Sequence, residues 1–200
     1  MIQAPLAIVW RCAMSVSAYS AAGKQIEIPD AACPSCMTIL APWGWYQRTV
    51  RHGGNDHPLL VRRGRCGRCR KTHALLPDFV HARRLYAVEE IGAALDLAAT
   101  GKGAWSVSVA LDRPFATVRD WLSRCRRRGA ELLPRVVMVG LQLGAVFGEL
   151  PTKPVAAVVA ALEITWRRSQ ERSPRTTPTR WRFWNSMCSG SALARNTSPV

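Results

Sequence analysis

Two cysteine pairs, Cys33-Pro34-Ser35-Cys36 and Cys66-Gly67-Arg68-Cys69, constrain the fold of this chain more than any other feature of it. A two-residue spacer lets both sulfurs of a pair face one ion, and two such knuckles fill the four positions of a Zn²⁺ that prefers soft ligands. The fold must bring the two pairs together. Four thiolates leave no position for a catalytic water, so the expected site is a structural Zn²⁺ held by Cys33, Cys36, Cys66 and Cys69. A redox role for Cys33 and Cys36 fits less well, because thioredoxin-like pairs need a βαβ context and the second pair would go unexplained. His73, just after the second knuckle, is a spare ligand that four sulfurs make unnecessary. His52, His57 and His81 read as solvated.

The segment between the knuckles supplies the geometry. Trp43 to Arg51 and Pro58 to Arg65 read as two strands joined by His52-Gly53-Gly54-Asn55-Asp56-His57, whose Gly-Gly-Asn-Asp core is strong turn chemistry. A hairpin returns the chain to its start and carries Cys66 and Cys69 back to Cys33 and Cys36, which makes a zinc ribbon. Trp43, Trp45 and Tyr46 are expected to cover its thin core, with base stacking as the lesser reading. Upstream, Leu6 to Trp10 reads as a β-type segment, Val16 to Gly23 as a helix and Gln25 to Pro29 as extended.

The chain has 200 residues and a formal net charge of +15, with 28 Lys and Arg against 13 Asp and Glu. Phosphate neutralisation by Lys and Arg supplies most non-specific nucleic-acid affinity, so a polyanion is the expected partner. Arg62, Arg63, Arg65, Arg68, Arg70 and Lys71 crowd the second knuckle and read as phosphate contacts. A solvated charged edge is the bland alternative. The remaining cysteines, Cys12, Cys125 and Cys188, are an odd set that argues against a disulfide framework. The apolar N-terminus lacks the positive n-region of a signal peptide, and Val136 to Leu150 is too short to span a bilayer. A cytoplasmic protein with no membrane segment is expected.

After Pro77 the pattern turns helical: Leu85 to about Thr100, then Trp105 to Leu111, then about Pro114 to Arg128 with Pro well placed in its first turn. Val118, Trp121, Leu122 and Cys125 recur at helical spacing, and Thr117, Arg119, Ser123, Arg124, Arg126 and Arg127 take the other face. That is a helix-turn-helix pattern. In such a motif the second helix enters the major groove, so Ala116, Thr117, Arg119, Asp120 and Ser123 would face DNA. Arg124, Arg126, Arg127 and Arg128 would run along phosphates, and Arg119 is the expected guanine reader. Trp105 and Trp121 read as core. Ala130 to Gly148 and Val155 to Arg168 look like two further apolar helices that pack on each other or on a partner. Residues 169–180 read as a basic linker, and Trp181-Arg182-Phe183-Trp184 as an anchored tail.

The acidic residues are spread too thinly to suggest converging carboxylates for Mg²⁺, and no Gly-rich nucleotide loop or nucleophile motif stands out. No enzymatic activity is expected.

Ile8-Val9-Trp10, Cys33-Pro34-Ser35-Cys36, the run Arg65-Cys66-Gly67-Arg68-Cys69-Arg70-Lys71-Thr72-His73-Ala74-Leu75-Leu76-Pro77 and Thr117-Val118-Arg119-Asp120-Trp121-Leu122 together resemble a bacterial family of functionally uncharacterised proteins. Its members carry an N-terminal zinc ribbon and a helix-turn-helix like that of insertion-sequence transposases. The resemblance implies binding to double-stranded DNA of a transposon-end or operator type, without strand transfer. The expected fold is α+β: an N-terminal segment and Cys₄ zinc ribbon over 1–77, a helix-turn-helix domain over 78–130, a helical extension over 131–168, and a partly disordered basic tail over 169–200. Its expected role is sequence-specific DNA binding, as a regulator or mobile-element accessory protein. The alternatives are a zinc-stabilised module that docks a recombinase, another partner or a second copy of itself, and a remnant transposase.

Overall fold

The computed structural model describes residues 7–174 and 178–193. Its centre is a hairpin made by β2 (Ala41–His52) and β3 (Asn55–Arg65), which pair from Ala41↔Arg65 at one end to His52↔Asn55 at the other. The two residues between them, Gly53 and Gly54, have φ of 58° and 80°. Two successive positive φ values define the type I′ turn, whose twist matches that of the strands it joins.

Two strands extend the hairpin into a mixed four-stranded sheet of order β1-β4-β3-β2. β4 (Thr72–Pro77) returns antiparallel to β3 directly from the second knuckle, and β1 (Ala7–Trp10) lies parallel beside β4. The sequence reading of a simple hairpin missed β4, because Thr72-His73-Ala74-Leu75-Leu76-Pro77 is nearly all apolar or half-buried and lacks alternation. It is covered on both faces: Leu76 joins the main core, whereas Leu75 packs with Leu40, Cys33 and Cys66. A strand buried on both sides carries no period-2 signal. Leu6, the expected first residue of the first strand, lies outside the described residues.

α1 (Val16–Ala22) is capped by Ser15, whose hydroxyl accepts from the Ala18 amide. It docks on the sheet through Tyr19, whose hydroxyl donates to the Leu60 carbonyl. The expected strand at Gln25 to Pro29 does not form: Gly23–Gln25 is a 3₁₀ turn and the chain then runs irregularly with Ile26 buried.

Helices α2 (Val88–Ala99), α3 (Ala104–Leu111), α4 (Phe115–Gln142) and α5 (Pro154–Arg172) follow, and α6 (Arg180–Met187) is the last described helix. Helix α2 starts later than expected because Tyr86 and Ala87 bridge to Arg51 and Val80 in extended form. α4 is one continuous helix where the sequence reading broke it near Gly129. Its buried stripe of Leu122, Cys125, Gly129, Leu132, Val136 and Gly140 continues through exposed Pro134. Packing along that stripe outweighs the amide that Pro134 lacks. Gly129 and Gly140 sit where α4 meets Pro154 and Thr165 of α5.

Part of the expected linker is helical, since residues 169–172 complete α5, and the expected anchored tail forms α6, which buries Trp181 and Trp184. Residues 175–177 and 194–200 of that expected tail lie outside the described residues. One contiguous core joins Val50, Leu59 and Leu76 of the sheet to Ile91, Leu122, Leu162 and Trp184 of the helices. No helix among the described residues is long and apolar enough to cross a membrane.

Candidate functional site

The two knuckles repeat one backbone pattern. The Cys33 amide donates to Thr38 (2.8 Å) and the Met37 amide to Cys33 (2.8 Å); the Cys66 amide donates to Lys71 (2.9 Å) and the Arg70 amide to Cys66 (3.0 Å). Met37 and Arg70, each directly after the second cysteine of its pair, share a left-handed conformation with φ of 56° and 62°. Left-handed backbone at a non-glycine costs roughly 1–2 kcal/mol, so a matched pair of such residues marks a geometry the surroundings enforce.

Both knuckles lie at the open end of the hairpin. Cys36 precedes β2 and Cys66 follows β3 directly, and Gly64 of β3 packs so tightly on Leu40 that a Cβ there would stand 2.9 Å from the leucine Cβ. The sulfurs converge across the two pairs: Cys36 Sγ lies 3.3 Å from Cys66 Sγ and Cys33 Sγ 3.6 Å from Cys69 Sγ, and all four fall within 4.8 Å of one another. A tetrahedral ion with metal–sulfur bonds of about 2.3 Å requires sulfurs about 3.8 Å apart. Cys33, Cys36, Cys66 and Cys69 are thus placed to hold a metal ion, and the all-sulfur donor set fits a soft divalent one.

The Cys66 thiol and then Thr38 hold Cys36 down at about 6, and the Ser35 amide lowers Cys33. Cys69 accepts from the Lys71 amide, yet burial and the other three thiols push it up to about 11. His73 is buried with Nε2 3.6 Å from Cys33 Sγ, so it stands beside the cluster while the four sulfurs complete it.

The six cations of the second knuckle are gathered at this same end. Lys71 Nζ reaches Ser35 Oγ at 3.2 Å and ties one knuckle to the other. Arg65 lies 4.2 Å over the Trp43 ring and Arg62 5.7 Å over Trp45. Among the described residues no carboxylate forms an ion pair with Arg62, Arg63, Arg65, Arg68, Arg70 or Lys71. The helical part is different. There Arg84 and Arg124 share Asp120, Arg113 pairs with Glu90, Arg128 and Arg135 with Glu131, Arg180 with Asp96 and Glu163, and Arg182 with Glu89.

α3 and α4 are joined by Asp112, Arg113 and Pro114, with Asp112 left-handed at φ 50°. Val107, Val118, Trp121, Leu122 and Cys125 are buried between them and α2. On the outer face Arg119, Arg126 and Arg127 are exposed, and Thr117 and Ser123 are half-buried.

Three expected DNA contacts, Asp120, Arg124 and Arg128, are engaged within the protein. Arg124 is 7% exposed and its Nε donates to Asp120 at 2.8 Å, while Arg84 donates to the same carboxylate at 3.0 Å. These bonds, Arg124 foremost, hold Asp120 below the usual carboxylate range. Asp120 and Arg124 therefore brace α4 from within, a tertiary pairing with Arg84 that helical periodicity does not reveal. Arg128, likewise expected on phosphates, donates to the Ala192 carbonyl and pairs with Glu131.

Trp105, expected in the core, is 67% exposed and meets Phe115 edge to face at 5.8 Å, with Arg119 lying 5.4 Å over that phenyl ring. α3 has only two turns, too few for its apolar residues to declare a face, so the exposed Trp105–Val109–Phe115 patch was invisible in the sequence. His81, expected in solvent, is fully buried: its Nε2 accepts from the Leu193 amide and its Nδ1 faces the Ala82 carbonyl. Burial lowers its pKa to about 4, so it is neutral at physiological pH.

Residues 33–113 match the model of a family described as a domain of unknown function, DUF6431. The match runs from the first knuckle through the sheet, α2 and α3 to the turn before α4. No curated protein and no solved structure matches this chain.

Proposed function

We propose that this protein is a zinc-stapled, sequence-specific binder of double-stranded DNA, in which a zinc ribbon supplies phosphate affinity and α3–turn–α4 acts as a helix-turn-helix. The observation that carries this reading is the segregation of charge. Arg84, Arg113, Arg124, Arg128, Arg180 and Arg182 of the helical part are matched to carboxylates, whereas the densest runs of cations without an ion pair among the described residues are at the metal end of the hairpin and, as Arg119, Arg126 and Arg127, on the outer face of α4. Such runs of guanidiniums without carboxylate partners supply the positive field that phosphates neutralise.

On this reading Zn²⁺ is bound by Cys33, Cys36, Cys66 and Cys69 and supplies folding energy, with no open position for chemistry. Thr117, Arg119 and Ser123 face the groove, Arg126 and Arg127 run along phosphates, and Arg62, Arg63, Arg65, Arg68, Arg70 and Lys71 hold backbone. Its role is that of a regulator or mobile-element accessory protein. The three remaining cysteines are free and buried, in keeping with a cytoplasmic location.

A second reading is favoured by the exposed Trp105, Val109 and Phe115, which lie where α3 and the start of α4 would approach DNA. They suit docking of a protein partner such as a recombinase better than a phosphate backbone. Selection of bound sequences from random duplex DNA separates the two. Recovery of a discrete motif with a steep salt dependence supports DNA reading, whereas salt-dependent retention without sequence preference overturns it.

A further inference from the structure

Trp43 breaks the register of the hairpin. Pro42 pairs with Gly64 and Gly44 with Arg63, so Trp43 is the extra residue of a β-bulge. Gly44 accommodates it with φ of 148°, a conformation that residues with a side chain rarely adopt. A bulge re-aims the side chain it carries, and this one lies on β2, the edge strand of the sheet. The indole it turns outward is 52% exposed, and Arg65 lies 4.2 Å over its ring.

An indole left half in water on a bulged edge strand is not covering a core. Arg65 occupies one face of the ring and the rest stays open to a second flat group. Arg62 and Trp45 form a second such pair one step along the same strands, at 5.7 Å and directly opposite each other in register. Around them Arg63, Arg68 and Arg70 are exposed and hold no carboxylate partner among the described residues; Asp30 is the acid that shares the groove beside Arg62 and Arg63.

We infer that the bulged edge of the ribbon is a binding surface for single-stranded nucleic acid, with an unpaired base stacking on the Trp43–Arg65 pair and its phosphates held by Arg63, Arg68 and Arg70. Bases in a closed duplex present no ring face to a side chain, so this surface takes a strand that is unpaired, frayed or opened. Stacking on an aromatic side chain combined with a cationic track is the general way of holding such strands, and it is tolerant of sequence. The inference shares the hairpin cations with the proposed function, where they hold duplex phosphates; what it adds is the stacking indole of Trp43, which the duplex reading on α4 does not use.

Fluorescence anisotropy of the zinc-loaded full chain with a labelled fifteen-nucleotide poly-dT strand and a labelled random duplex tests it. Trp43→Ala is expected to weaken poly-dT binding about tenfold and duplex binding less than twofold, while Trp43→Phe retains most of the poly-dT affinity. Arg119→Ala is expected to leave poly-dT binding unchanged, so failure of duplex selectivity leaves this result standing. Trp43→Leu, which keeps apolar bulk at the bulge and removes the aromatic face, provides the same comparison if Trp43→Ala loses its metal. Equal losses on both nucleic acids, no binding of poly-dT, or Trp43-dependent binding to phosphatidylserine vesicles in its place would each overturn the inference.

Discussion

Trp181 lies flat against Gly92, so close that a Cβ at Gly92 would stand 2.3 Å from three carbons of the indole ring. The contact locks α6 onto α2, and Asp96, one turn further along α2, accepts the indole N–H at 3.1 Å and an ion pair from Arg180. The last described helix is thus a structural part of the body.

Gly92→Ala should displace Trp181 and destabilise the protein by about 1–3 kcal/mol, the usual cost of overpacking a filled site. Gly103→Ala, at a position with nothing within 4 Å, serves as the control. Urea denaturation of the two variants checks the difference; equal midpoints would mean that α6 contributes nothing.

The purified chain should contain one zinc by elemental analysis. Cys66→Ser should lose it and unfold the metal end of the sheet, because β3 leads straight into Cys66 and β4 leaves that knuckle directly. Native near-ultraviolet dichroism after thorough chelation would contradict the site.

Acid acts on two buried groups in opposite senses. His81 has a folded pKa of about 4 against an ordinary 6.5, so it contributes stability above 6.5 that is lost as pH falls through 4. That difference of 2.5 is worth about 3 kcal/mol at full protonation. Burial raises Asp78 to about 6, partly offset by Arg182, so its contribution is present below its ordinary 3.8 and is lost as pH rises through 6. Removing one group should expose the other. Asp78→Asn should lose stability more steeply than wild type between pH 6.5 and 4 in urea titrations at each pH, and His81→Gln less steeply. Parallel curves for all three proteins would refute this assignment.

Arg119 and Arg124 lie five residues apart on different sides of α4 and should behave differently. Arg119→Ala should leave the melting temperature unchanged, weaken binding to the selected duplex by about 1–3 kcal/mol and relax preference at one base pair. Arg124→Ala should lower stability, since it strips the buried partner from Asp120 and leaves Arg84 as that carboxylate's one ion pair among the described residues. Melting curves and competition binding for the pair distinguish reader from brace.

The knuckle spacing, the Gly53-Gly54 turn and the helical spacing of Val118, Trp121, Leu122 and Cys125 were legible in the chain because each is a local signal. A turn needs particular φ values, a knuckle needs its own two residues, and a helix face repeats every few positions. Sequence alone therefore determined the cysteine cluster, the hairpin that closes it and the α+β class. Only the tertiary structure decided which charged and aromatic side chains are available. Arg124 and Arg119 look alike in a helical pattern until packing buries Arg124 and Arg84 arrives from another segment to share its partner Asp120. Trp105 and Trp43 read as core until packing leaves one on an open helix face and the other on a bulge. Burial, and ion pairs such as Arg84–Asp120 and Arg180–Asp96, are set by segments distant along the chain, and no local pattern encodes which of those will meet.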